Sequence, residues 1–279
     1  MSFDELKNWI GRQDEHLDMA TVAPLTGLAA TLDHDVTPWR PGEVPPLGHW
    51  LYFLPQALQR EIAEDGHPRR GGFLPPVPLP RRMWAGGALE FHTPIRVGEA
   101  LRRRSTIAEV EHKAGRSGNL VFVKVVHEVM TERGLAVREV HDIVYRDAAK
   151  PGEAAPPGEA PKASADWQRV VTGDPVLLFR FSALTFNGHR IHYDRKYCEE
   201  VEGYPGLIVH GPLMATLLMD LFLRNNPGAR VTGFRFRARR PVFDIHPFTV
   251  CGAKRDGGAE LWVLDHEGYV AMTAELEAE

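Results

Sequence analysis

Cysteine is scarce in this chain of 279 residues, with Cys198 and Cys251 its only two. Two thiols without metal-ligand spacing exclude a disulfide framework and suit a reducing compartment, so a cytoplasmic location is expected. Long apolar runs are missing as well. The longest, residues 213–223, is interrupted by Asp220 and falls far short of the roughly 20 residues a membrane span requires. The N-terminus lacks the basic-then-apolar pattern of a signal peptide. Neither sign of charge dominates: 33 Lys and Arg face 37 Asp and Glu, a formal net charge of -4, which argues against a generic nucleic-acid binder. A soluble protein with no nucleic-acid and no membrane partner is expected.

What is present is an ordinary globular balance, 43% hydrophobic and 25% charged, enough for one large or two small domains. Residues 148–165 carry proline and glycine throughout and no aromatic or large aliphatic side chain, the composition of a linker. The expected units are therefore 1–147 and 166–279. They share a plan: Thr93-Pro94-Ile95 and Arg240-Pro241-Val242 each open a run of alternating strands, an internal repeat. Strands are expected near 100–111, 120–130 and 135–145, and again near 248–254, 259–264 and 269–276. Phe234, Phe236 and Ala238 alternate with Arg235, Arg237 and Arg239, as in a strand with one buried face.

Three longer helices are expected. The first starts at a capping box of Ser2 and Glu5, with Phe3, Leu6 and Ile10 on one face. The second covers 50–58. The third covers 213–223, where Leu213, Met214, Leu217, Leu218, Leu221 and Phe222 spread round the circumference, so protein should surround it.

The chemistry concentrates in FRFSALTFNGHRIHYD at 179–194 and VHGPL at 209–213. Proline is preorganised for a first helical turn, so Gly211-Pro212 opens the third helix and leaves free amides and the positive end of its dipole pointing outward. Such a terminus suits an oxygen that becomes negative, for example a thioester carbonyl passing through an enolate; one such donor is worth about 3 kcal/mol. Asn187, His189 and His192 are placed on a loop after a strand, where they can converge, and histidine is the side chain best suited to moving a proton near neutral pH.

In this arrangement the chain resembles the MaoC-like, or R-specific, enoyl-CoA hydratases, and within them the mesaconyl-CoA or itaconyl-CoA hydratases and the hydroxyacyl-thioester dehydratase type 2 group. The resemblance keeps His192 at the family's histidine, but sets Asn187 at its catalytic aspartate, His189 at its asparagine and Arg190 at its proline. It implies an α+β fold, a tandem (double) hot-dog with an antiparallel sheet wrapped round a central helix in each half. The first half would be degenerate and form an acyl-binding wall, and the second would be catalytic. The implied reaction is reversible hydration of an α,β-unsaturated acyl-CoA, a short branched dicarboxylic one. A (3R)-hydroxyacyl-thioester dehydratase, a hot-dog thioesterase and a non-catalytic acyl-CoA-binding module are the alternatives.

The candidate catalytic residues are His192, Asn187, Gly211 and His189. An amide has no titratable proton, so Asn187 is expected to hold water rather than act as acid or base. Arg190, Arg235, Arg237 and His210 are candidate substrate-binding residues. His189, His192 and Asp194 offer nitrogen and oxygen, but no further ligand cluster accompanies them, so no metal is expected. Asp194 is expected to cap a short helix. No cofactor is needed beyond the coenzyme A of the substrate, and a homodimer is implied by the resemblance.

Overall fold

A computed structural model of the chain describes residues 3–115, 118–147 and 158–279. Ser2 of the expected capping box and residues 148–157 of the expected linker lie outside the described residues.

The strands form a single 10-stranded antiparallel sheet. The first half supplies β1 (Gln13–Met19), β2 (Arg81–Phe91), β3 (Ala100–Gly115), β4 (Gly118–Thr131) and β5 (Gly134–Arg146). The second supplies β6 (Trp167–Val171), β7 (Val231–Ala238), β8 (Phe248–Arg255), β9 (Gly258–Leu264) and β10 (Val270–Ala278). Their order is β1-β3-β4-β5-β2-β7-β10-β9-β8-β6, so the halves join where β2 pairs with β7. There Gly87 stands opposite Phe236, and a Cβ on Gly86 would come within 2.6 Å of the Phe236 carbonyl oxygen. Only a residue without a side chain lets the two backbones meet so closely. The strands expected from alternation are present: β3, β4 and β5 in the first half and β8, β9 and β10 in the second.

Four α-helices are described: α1 (Val22–Thr31), α2 (Pro175–Thr185), the single turn α3 (Arg195–Tyr197) and α4 (Gly211–Asn225). In α4 every residue from Leu213 to Leu223 is buried, and the helix packs on β6, β8, β9 and β10. Full burial of a leucine such as Leu213 or Leu218 contributes about 1.5–3 kcal/mol, so this wrapped helix is the centre of the core. Its one acid, Asp220, accepts from Nε2 of His34 at 2.6 Å and Nε of Arg224 at 2.8 Å, and pairs with Arg169 at 3.0 Å. Those partners explain how a carboxylate survives in the core. The first half buries another, Glu139, which accepts from Nε2 of His49, Nε1 of Trp50 and Nε2 of His141 at 2.8, 2.8 and 2.6 Å.

Helix placement differs from expectation in three places. The expected helix at 50–58 is absent; a 3-10 turn, Gly48–Leu51, stands there, because Pro45 and Pro46 precede it, Pro55 follows, and Phe53 takes φ 55. The helix of the first half is α1, which buries Leu25 and Leu28 and packs on α2. The N-terminal helix is a 3-10 segment, Asp4–Trp9, that buries Leu6 and leaves Ile10 46% exposed. Finally, the segment before the polar loop is α2 and not a strand. Asp174 caps it by accepting from the amides of Val176 and Leu177, Pro175 starts it, and Leu178, Phe181 and Ser182 form its buried side. Among the described residues no helix is long and apolar enough to cross a membrane.

Candidate active site

The polar loop is shaped by the way α2 ends. Phe186 takes the left-handed conformation at φ 48, and the amide of Asn187 then donates to the Ser182 carbonyl at 2.8 Å. Oδ1 of Asn187 accepts from the amide of His189 at 3.0 Å, so the asparagine side chain builds the turn that aims His189. A 3-10 turn, Arg190–His192, follows. It delivers His192, only 7% exposed, to the start of α4.

His192 is held by two contacts. Its Nδ1–H donates to the Ile208 carbonyl at 2.7 Å, which fixes the tautomer and leaves Nε2 with a lone pair. Its ring stacks on that of His210, with centroids 3.6 Å apart and planes at 18°. His210 is the N-cap of α4, and Gly211 is the next residue. The imidazole and the helix N-terminus therefore occupy one corner. The His210 carbonyl accepts the first intrahelical bond, from Met214 at 3.0 Å, while the Gly211 amide has no protein acceptor among the described residues. The nearest atom to a Cβ built on Gly211 is the Trp84 carbonyl oxygen at 4.0 Å, so nothing crowds the glycine on its side-chain side.

Burial dominates the electrostatics here. It pushes His192 down to about 4, against the pull of the Ile208 carbonyl, with the charge of His67 adding to the depression. His189 is pushed down to about 2 by burial and then by the neighbouring His67 and His192. His210 is held well below the ordinary histidine range by burial and by His192 and His189. All three rings rest neutral near pH 7, the form that accepts a proton.

Of the substrate-binding candidates, Arg190 and His210 make hydrogen bonds within the protein, and Arg235 and Arg237 are exposed. The guanidinium of Arg190 donates to Oδ2 of Asp194 at 2.8 and 3.0 Å and to the Glu64 carbonyl at 3.2 Å, and it lies 4.2 Å over the Tyr197 ring. Three of its five N–H donors are thus used in folding the loop. Asp194 also caps α3 by accepting from the Tyr197 amide. His210 is 1% exposed and shares a 2.8 Å hydrogen bond with the Ser182 hydroxyl, so it backs His192 instead of reaching outward. Arg235 and Arg237 stand exposed on the face of β7 opposite the buried Phe234 and Phe236, and Arg235 pairs with Glu275 at 4.0 Å.

Sequence reasoning missed Asp65 and His67. This turn from the first half lies against the catalytic loop: the His67 and His189 rings are 4.0 Å apart, and Nδ1–H of His67 donates to Oδ2 of Asp65 at 3.1 Å. The only local signal was an Asp-Gly turn pair, which gives no hint of a partner so distant in sequence. One ligand-type atom each from Asp65, His67 and His189 lies within 4.8 Å of the others. Within that group the hydrogen bond from His67 to Asp65 accounts for the approach of those two residues. A separate cavity of about 80 Å³, walled by Trp39, Val44, His49, Phe91 and Leu223 among others, includes none of these residues.

Comparison with known proteins covers this region of the chain. The family profile of hydroxyacyl-thioester dehydratase type 2 matches residues 47–244, a span that holds Asp65, His67, the loop and the start of α4. The mesaconyl-C(4)-CoA hydratase of Chloroflexus aurantiacus is 45% identical over 278 residues, covering 99% of each chain. Among solved structures, a MaoC-like dehydratase from Phytophthora capsici superposes with a TM-score of 0.72 at 15% identity, over 100% of this chain and 99% of that one. A Mycobacterium tuberculosis protein described as a double hot-dog gives a TM-score of 0.57 at 14% identity, over 100% and 98%. These last two likenesses speak for the fold, a double hot-dog. The extent of the profile match and the identity to the hydratase together place this chain in the hydroxyacyl-thioester dehydratase type 2 family of hydro-lyases.

Proposed function

We propose that this protein adds water reversibly across the double bond of an α,β-unsaturated acyl-CoA, and that its substrate is a short branched dicarboxylic thioester, mesaconyl-CoA or itaconyl-CoA. The observation that carries the reading is the stacking of His192, Nε2 lone pair free, on the N-cap of the buried helix α4. The substrate choice is supported by the 45% identity to a mesaconyl-C(4)-CoA hydratase.

In this reading the thioester carbonyl accepts from the Gly211 amide, helped by the dipole of α4, so that the β-carbon becomes electrophilic and the enolate is stabilised. Nε2 of His192 takes a proton from water as the C–O bond forms, an assistance worth about 10²- to 10⁴-fold. The thioester itself acidifies the α-position, so no cofactor is needed. A cytoplasmic homodimer belongs to the same proposal.

The test follows enoyl-thioester absorbance against a panel of short unsaturated CoA esters. Consumption of mesaconyl-CoA in preference to crotonyl-CoA supports the branch. Activity confined to long linear esters overturns the substrate, and release of free coenzyme A thiol overturns hydration in favour of thioester hydrolysis.

A further inference from the structure

The turn 64–67 belongs to the first half, yet it is built into the loop of the second. The Asp65 carbonyl accepts from the Arg190 amide at 2.9 Å, and the Glu64 carbonyl accepts from the Arg190 side chain. Gly66 takes φ +89, and a Cβ there would stand 1.8 Å from the Gly188 carbonyl oxygen. Such close docking holds Asp65 and His67 at a fixed place beside His189. Within the turn, Oδ1 of Asp65 accepts from the His67 amide at 3.0 Å and Oδ2 from its Nδ1–H at 3.1 Å. Nε2 of His67 therefore keeps its lone pair, and a carboxylate stands behind the ring, as it does behind a general base that must carry a proton briefly. Ring contacts tie them together: His67 lies 4.0 Å from His189 and His189 5.5 Å from His192, which stacks on the N-cap of α4, and His67 is close enough to His192 for its charge to act there.

Hydration has two proton events, loss from water and gain at the α-carbon. His192 serves the first. Within its own loop Asn187 has no proton to exchange, Asp194 is spent on Arg190 and on capping α3, and His189, pushed down to about 2 by burial and its neighbours, holds no proton of its own for Cα.

Resting on the hydratase reading above, we propose that Asp65 and His67 are the second proton-transfer site of this enzyme, His67 as the catalytic residue at the substrate α-carbon and Asp65 as the residue that positions it. Nε2 of His192 takes a proton from water while the O–Cβ bond forms and the π pair moves through Cα onto the thioester oxygen at Gly211. That proton passes by way of His189 to His67, which delivers it to Cα as the enolate pair becomes the new C–H bond. The H and the OH of one water end on adjacent carbons, and every ring returns to neutral. Asp65 stays ionised throughout and stabilises the transient imidazolium of His67. Dehydration runs these steps in reverse, starting with neutral His67 as the base at Cα.

The experiment compares the full-length wild type with His67→Asn and Asp65→Asn on mesaconyl-CoA, with kcat and KM measured separately. It adds the isotope effect for dehydration of the hydrated product carrying deuterium at Cα. His67→Asn is expected to lower kcat by about 10²- to 10⁴-fold with KM changed by less than about threefold. Asp65→Asn is expected to lower kcat by at least about tenfold and to raise the isotope effect, because C–H transfer becomes the slower step. If His67→Asn does not fold, the isotope effect in Asp65→Asn decides alone. Wild-type kcat and isotope effect in the variants, a loss confined to KM, or activity abolished by a chelator and restored by a divalent ion would overturn the assignment while leaving an active hydratase. A wild type that hydrates no enoyl-CoA overturns the hydratase reading and this proposal with it.

Discussion

His192 and His210 lie face to face, 3.6 Å apart, with opposite tasks: one ring keeps a free nitrogen, and the other is tied to Ser182 at 2.8 Å. His210 is nearly sealed from solvent, and its Nδ1 already lacks a partner among the described residues, so it depends on that one bond.

Ser182→Ala strips the remaining partner from a buried imidazole. The expected cost is about 1–3 kcal/mol of stability. Chemical denaturation should show it, and kcat should fall as well, because His192 rests on the loosened ring. An unchanged unfolding midpoint would mean that the Ser182 bond supports nothing.

Gly66→Ala tests the clamp between the halves. The added methyl meets backbone, not a flexible side chain, and the positive φ adds strain. A loss of about 2 kcal/mol or more is expected, together with a fall in kcat. By contrast, Gly257→Ala, at φ +71 in the open β8–β9 turn with no atom within 4 Å of the added methyl, should cost stability without touching kcat. Equal effects on kcat would remove the link between the clamp and the site.

Stability should fall as the solution is acidified from neutrality. The folded-state values of His192, His189 and His67 lie below the ordinary 6.5, so the unfolded chain binds protons first and each such ring weakens the fold as pH drops below about 6.5. Glu139 is likewise held low: burial raises it, but His141 and His49 lower it further. Its contribution is present above about 4.5 and lost as pH falls towards its folded value, which is the same direction. Urea unfolding at several pH values checks this. A midpoint that stays level from pH 7 to 5 would contradict it.

Arg190→Lys should lower thermal stability and leave the preference for dicarboxylic over monocarboxylic thioesters unchanged, because its donors serve Asp194 and Glu64. A selective loss on mesaconyl-CoA relative to crotonyl-CoA would return Arg190 to the substrate.

Much of this was legible in the sequence. Period-two alternation marked the strands of both repeats, and the apolar circumference of 213–223 marked α4, since both signals are local and set by which faces are buried. Histidine spacing and the Gly211-Pro212 start brought His192 and the helix terminus to one place. The segment 179–186 reads as a strand because it is apolar enough for either state, and the feature that decides for α2, the Asp174-Pro175 start, lies upstream. Helix 50–58 failed because prolines outweighed its apolar character. Asp65 and His67 were illegible because their role arises from backbone docking between Gly66 and Gly188, a contact that no local pattern encodes.

The most direct test of the account is the hydration of mesaconyl-CoA by wild type and by His192→Gln, which removes the free basic nitrogen while keeping a polar side chain of similar reach. The account predicts an active wild type and a variant whose kcat is lower by at least about 10²-fold with KM little changed. A His192→Gln enzyme with wild-type kcat would contradict it.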